Sequence, residues 1–141
     1  MGKKLAAIVL CVCLTVVSAH ADPAVDAANN AHYEFTTCHA YFSVVSGCAA
    51  LSKYPKTAKL YERAADHVLA YMLVLGEKAN LSEDAMLSRT KLSIMEMGKL
   101  AAGGCQNISS LTVRFADRCK RAAEEPAKIY EEYLIKEHQK N

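Results

Sequence analysis

Four cysteines, Cys38, Cys48, Cys105 and Cys119, constrain this chain more than any other feature, because of where an N-terminal signal would send them. Residues 1–21 have the three parts of a secretory signal: Lys3 and Lys4, the apolar run from Leu5 to Val17, and Ala19-His20-Ala21 as a small-x-small cleavage site. Cleavage after Ala21 is expected, giving a signal over 1–21 and a single helical domain over 22–141. Cys11 and Cys13 lie within that signal. Neither suits a lipid anchor, since Leu10 and Val12 stand where a small residue is needed. Four cysteines in an exported chain read as two disulfides rather than a metal site. Their spacings of ten, fifty-seven and fourteen residues match neither a zinc knuckle nor a redox C-x-x-C. The expected location is periplasmic or secreted.

Charge removes one class of partner. Loss of Lys3 and Lys4 leaves fifteen bases against fifteen acids, so no excess of positive charge argues for nucleic acid. At 52% hydrophobic and 23% charged the chain is not disordered. About 120 mature residues make one domain, able to bury roughly two thirds of its unfolded surface. No transmembrane segment is expected after signal removal. The longest uncharged stretch, Phe35 to Ser52, holds three serines, two threonines and a histidine, and Val68 to Leu75 falls far short of the roughly 20 residues a bilayer requires.

The periodicity is helical throughout. A first helix is expected from Pro23 to Leu51, opening on Asp22-Pro23, a cap followed by proline. A second starts near Thr57 and aligns Tyr61, Ala65, Val68, Met72 and Leu75, with Gly76 near its end. Ser82 caps a third, with Glu83 and Asp84 in the first turn where acids favour the helix dipole. Its stripe is Leu87, Ile94, Met97 and Ala101. That stripe could run on through Gly103-Gly104 to Ile108, Leu111 and Phe115, but two adjacent glycines cost roughly 2 kcal/mol against alanine inside a helix. A break is expected there, with Asn107 as cap, a fourth helix from Ile108 to about Glu124, and a short terminal helix, Ala127 to Glu137, whose first turn Pro126 suits. Glu132 and Lys136 stand at i,i+4 in that last helix. The fold class is therefore all-α: a disulfide-stapled up-down bundle of about four helices plus a short C-terminal one.

The break also bears on the cysteines. At about 1.5 Å per residue, helix one places Cys38 about 15 Å below Cys48. Helix two descends and helix three climbs, which returns Cys105 to the level of Cys48. If the chain then reverses, Cys119 falls about 21 Å and reaches the level of Cys38. Antiparallel helices one and four thus favour Cys38–Cys119 and Cys48–Cys105. The other pairings stay open at this point, because four cysteines allow three connectivities.

Chemistry-bearing residues are few. His32 and His39 are two turns apart on one helix face, yet a metal needs three or four converging ligands. Neither metal nor any other cofactor is expected, and no C-x-x-C-H, H-E-x-x-H or G-x-S-x-G occurs. No catalytic residue stands out. Tyr33, Tyr41, Tyr54, Tyr61 and Tyr71 crowd the first two helices. Tyrosine joins apolar area to a polar tip, which suits binding surfaces as well as the seams between helices. The candidate ligand or partner surface is thus His32, His39, Tyr33, Tyr41, Tyr61 and Tyr71. Asn80-Leu81-Ser82 and Asn107-Ile108-Ser109 match the glycosylation sequon but fit helix caps better.

The segment Phe35-Thr36-Thr37-Cys38-His39-Ala40-Tyr41-Phe42, with Asn107-Ile108-Ser109 and Cys119 after it, resembles a loose group of small exported proteobacterial proteins. These carry a C-x-A-Y-F-like helix and a second cysteine near the end of an N-I-S helix, and Cys48 with Cys105 looks like a pair added to that pattern. The resemblance implies a helical exported domain and no particular activity. The expected function is non-catalytic binding: an inhibitor or stabiliser of another envelope or secreted protein. The alternative is a carrier for an apolar molecule, haem or metal, held between helices with His32, His39 and the tyrosines as lining.

Overall fold

A computed structural model describes residues 22–101 and 104–140. The expected signal lies outside them. Five helices follow in order: α1 (Pro23–Leu51), α2 (Pro55–Lys78), α3 (Glu83–Leu100), α4 (Ile108–Glu124) and α5 (Pro126–His138). Among the described residues none is in a strand.

The helix ends show why the elements stop where they do. Asp22 caps α1, its carboxylate accepting from the Ala24 N–H at 2.9 Å, and Ser82 caps α3 by accepting from Ala85 at 3.2 Å. The α1 and α2 C-termini are closed alike. Tyr54 donates to the Ala49 carbonyl and Lys53 to Ala50, while Leu81 donates to Gly76 and Asn80 to Glu77. This double closure needs one left-handed residue, and Lys53 (φ 62°) and Asn80 (φ 55°) supply it. Gly104 and Cys105 also take positive φ, 108° and 70°, where the chain turns between α3 and α4.

Three local expectations differ from what is seen. Helix α2 begins earlier than expected, at Pro55, because proline's missing N–H costs nothing in a first turn, while α5 has Pro126 in its first turn as expected. The Asn107 side chain makes no cap hydrogen bond; its backbone N–H instead reaches back to the Ala101 carbonyl at 3.1 Å, closing the turn. Glu132 pairs with Arg121 of α4 at 3.2 Å, while the Lys136 ammonium lies over the Tyr133 ring.

Packing centres on α1. It touches all four other helices and buries residues around most of its circumference, among them Ala28, Ala31, Phe35, Cys38, Tyr41 and Val45. Small residues let neighbours approach closely. Against α1 lie Ala65, Val68, Met72 and Leu75 from α2, Met97 and Ala101 from α3, Leu111, Phe115 and Ala122 from α4, and Ile129 from α5. At Gly76 the approach is so close that a β-carbon would collide with the Met86 side chain and crowd the His32 ring. Both expected disulfides are present, Cys38–Cys119 and Cys48–Cys105, with Cα–Cα distances of 5.1 and 5.5 Å. They run α4 antiparallel to α1. A bundle with two such staples belongs to an oxidising, non-cytoplasmic location. Among the described residues no helix is long and apolar enough to cross a membrane.

The third helix is where the expected stripe fails. Met97 and Ala101 are buried, but Leu87 is 52% and Ile94 36% exposed. Met86, which the stripe omitted, is buried instead.

Candidate functional site

The exposed part of α3 forms one wall of the largest open groove described. Leu69, Met72 and Leu73 of α2 face Met86, Leu87 and Thr90 of α3 across a cleft of about 620 Å³. Thr90 ties the walls, donating to the Met86 carbonyl at 2.9 Å with its hydroxyl 3.8 Å from the Met72 sulfur. Two methionines at the base give an apolar floor that can adjust to an occupant. Glu77, Glu83 and Asp84 line the groove, with no base among its lining residues. Leu73 and Leu87 are about half exposed, and Ile94, two turns beyond Leu87 on the same face of α3, is partly exposed as well.

A second cleft, of about 370 Å³, lies between α1, α2 and α4. Tyr41, Phe42 and Tyr61 line it, with Asp117, Lys120 and Glu124 beside them. Tyr41 and Tyr61 meet edge to face, ring centroids 6.3 Å apart. Burial pushes the Tyr41 hydroxyl above its ordinary pKa.

The structure therefore joins only two of the six candidate side chains in one cleft. His32 is fully buried at the meeting of α1, α2 and α3. Its Nδ1 lies 3.5 Å from Arg89 Nη1, whose other contact is Asn29 at 2.8 Å. His39 donates from Nδ1 to the Ala65 carbonyl at 3.1 Å. Tyr33 is exposed beside Arg114 and Arg118, and Tyr71 stacks on Phe35 with centroids 5.9 Å apart. Among the described residues no three His, Cys, Asp or Glu side chains converge as metal ligands would.

His32 has a measurable consequence. Burial, then the positive charge of Arg89, lowers its pKa from 6.5 to about 4. The native state holds it neutral, whereas the unfolded chain protonates it below pH 6.5. Its contribution to stability is complete above that value and is lost as pH falls toward 4. Urea titrations of the wild type and of His32→Gln should diverge across this window, the variant showing the flatter pH dependence. Parallel curves would rule the histidine out.

Sequence reasoning missed the Glu34 cluster. Glu34 on α1 is 4% exposed and takes both arms of the Arg118 guanidinium, at 2.8 and 2.9 Å, plus the Tyr133 hydroxyl at 2.7 Å. The only signal was an acid, Glu34, beside Phe35 on a face that also carries Ala31 and Cys38. Compared with protein-family models, curated proteins and solved structures, the chain matches none. Fold and surfaces together define a class, a disulfide-stapled five-helix bundle with an apolar groove left open between α2 and α3.

Proposed function

We propose that this chain is a non-catalytic binding protein, periplasmic or secreted after cleavage behind Ala21, that inhibits or stabilises another envelope or secreted protein. The α2–α3 groove is the observation that favours this reading. A helix normally buries its apolar stripe, yet here Leu73 and Leu87 remain open above a methionine floor. Exposed apolar area gathered beside a groove and edged with polar groups is characteristic of interaction sites. With three carboxylates and no base, the groove suits a segment with apolar anchors and flanking lysine or arginine.

The test is site-specific photo-crosslinking in the exporting cell. A crosslinker at position 73 or 87 should capture one discrete partner, and the same probe at Lys128 should not. Leu73→Asp with Leu87→Asp should abolish capture from a neighbouring groove position, Thr90, with the bundle still folded by circular dichroism. Failure to capture any partner from the groove counts against the reading. The Tyr41–Phe42–Tyr61 cleft favours the carrier alternative, which native mass spectrometry of the exported protein would support by showing a stoichiometric small molecule.

A further inference from the structure

Charge along this bundle is segregated. Residues 35–61 and 97–116 contain no aspartate or glutamate, but carry Lys53, Lys56, Lys59, Lys99 and Arg114. These ranges form the half of the bundle where α1 ends, α2 begins, α3 ends and α4 begins, joined by Cys48–Cys105. The other half holds all fifteen acids against the ten remaining bases of residues 22–141. A net charge of zero thus conceals a basic pole and an acidic pole.

The basic pole also exposes apolar side chains. At the α1–α2 corner Leu51 is 76% exposed, Tyr54 64% and Leu60 57%, interleaved with Lys53, Lys56 and Lys59. Tyr54 precedes the first turn of α2, makes no side-chain cap bond and leaves most of its ring in solvent. We propose that this corner docks on an anionic lipid surface, with Leu51, Tyr54 and Leu60 entering the interface and the lysines facing the headgroups. The pairing of residue types favours lipid over other anions. A nucleic-acid phosphate backbone offers Leu51 and Leu60 no apolar partner, whereas an interface takes leucine and tyrosine at headgroup depth and draws lysine by charge. Acids begin at the edge of this corner: Glu62 follows Lys59 by one turn, and Asp117 and Glu124 line a cleft with Leu60. The attraction therefore rests on the tip, where Lys53 and Lys56 precede Glu62 by about 9 Å of helix or more. Bound in this way, the chain would hold the α2–α3 groove away from the surface, although the docking stands independently of what that groove binds.

The experiment is co-sedimentation of the full mature chain with vesicles of phosphatidylglycerol and phosphatidylcholine, compared with phosphatidylcholine alone. Binding should require the anionic lipid and weaken as salt rises. Lys53→Gln, Lys56→Gln and Lys59→Gln together should reduce partitioning about a hundredfold, each basic residue contributing about 1 kcal/mol at such a surface. Leu51→Ser with Tyr54→Ser should weaken it without changing the salt dependence. The same three-charge change at Lys91, Lys128 and Lys136 should have no effect, and circular dichroism verifies folding of every variant. Equal binding to both vesicles, no binding to either, or full retention by the corner variants overturns the proposal. Salt-sensitive self-association or binding to single-stranded DNA, lost in the lysine variant while vesicles are ignored, would assign the pole to a second copy or to nucleic acid and overturn it equally.

Discussion

Cys119→Ser should cost this protein about 4 kcal/mol of stability and lower its melting temperature by roughly 10–20 °C. Cys38 and Cys119 are fully buried and lie 81 residues apart in sequence. With Cys48–Cys105 intact, however, the ring that the outer bond closes is shorter, running through residues 38–48 and 105–119. For a ring of about 25 residues the chain-entropy model gives roughly 3.5 kcal/mol, and a buried serine hydroxyl adds to the loss. Reducing both bonds should remove about 7–8 kcal/mol, comparable with the whole net stability of a domain this size. Denaturant titration of the wild type, Cys119→Ser and the reduced protein measures each step, and peptide mapping of the variant should find Cys38 free and Cys48–Cys105 intact. A loss below about 1 kcal/mol would mean that helix packing alone holds α4 against α1.

The second large effect lies at Glu34. Burial alone would push its carboxyl upward, but hydrogen bonds from Arg118 and Tyr133 and the charges of Arg118 and Arg121 outweigh it and hold the group below its ordinary 4.5. The same contacts raise Tyr133 to about 12, burial first and the Glu34 hydrogen bond second. Arg118→Ala leaves the carboxylate buried with one hydroxyl donor. Losing one partner of a buried pair costs roughly 3–5 kcal/mol, but Arg118 is itself 48% exposed. Water can enter where the guanidinium was, so about 2–3 kcal/mol is expected. Tyr133→Phe, which removes a hydrogen bond to a charged group, should cost about 1.5–2 kcal/mol. The native pKa of Glu34 being the lower one, its contribution is present above pH 4.5 and disappears as pH falls through the depressed value. Urea titrations at pH 7 and pH 3 decide the matter: the Arg118→Ala deficit should shrink at pH 3, and a deficit independent of pH would reduce the cluster to ordinary packing.

Acid thus acts on two sites through one helix. His32 resists protonation below pH 6.5 and Glu34 below pH 4.5, and both belong to α1. The helix that carries the core thus also carries two groups that acid would protonate against their surroundings.

Sequence alone determined what depends on neighbours in the chain. Asp22-Pro23 and Ser82 set helix starts because a cap bond spans two or three residues, and α3 ends at Leu100, ahead of the Gly103-Gly104 pair whose local helix propensity argued for a break. Once those reversals were in place, rise per residue was enough to level Cys38 with Cys119 and Cys48 with Cys105. Tertiary structure decided everything that required knowing what lies opposite a face. Periodicity marks Leu87 and Ile94 as apolar, but says nothing of whether a neighbour exists to cover them. The perimeter of α1 is shared among four helices, and α3 buries Met86, Met97 and Ala101 against the bundle while Leu87 and Ile94 turn outward. Glu34, Arg118 and Tyr133 are separated by 84 and 99 residues from carboxylate to donor, so no spacing rule connects them. The charge poles were hidden for the same reason. A run without acids from Phe35 to Tyr61 and another from Met97 to Ala116 become one surface only when α1 and α4 are laid antiparallel, which brings distant stretches of chain to the same end of the bundle.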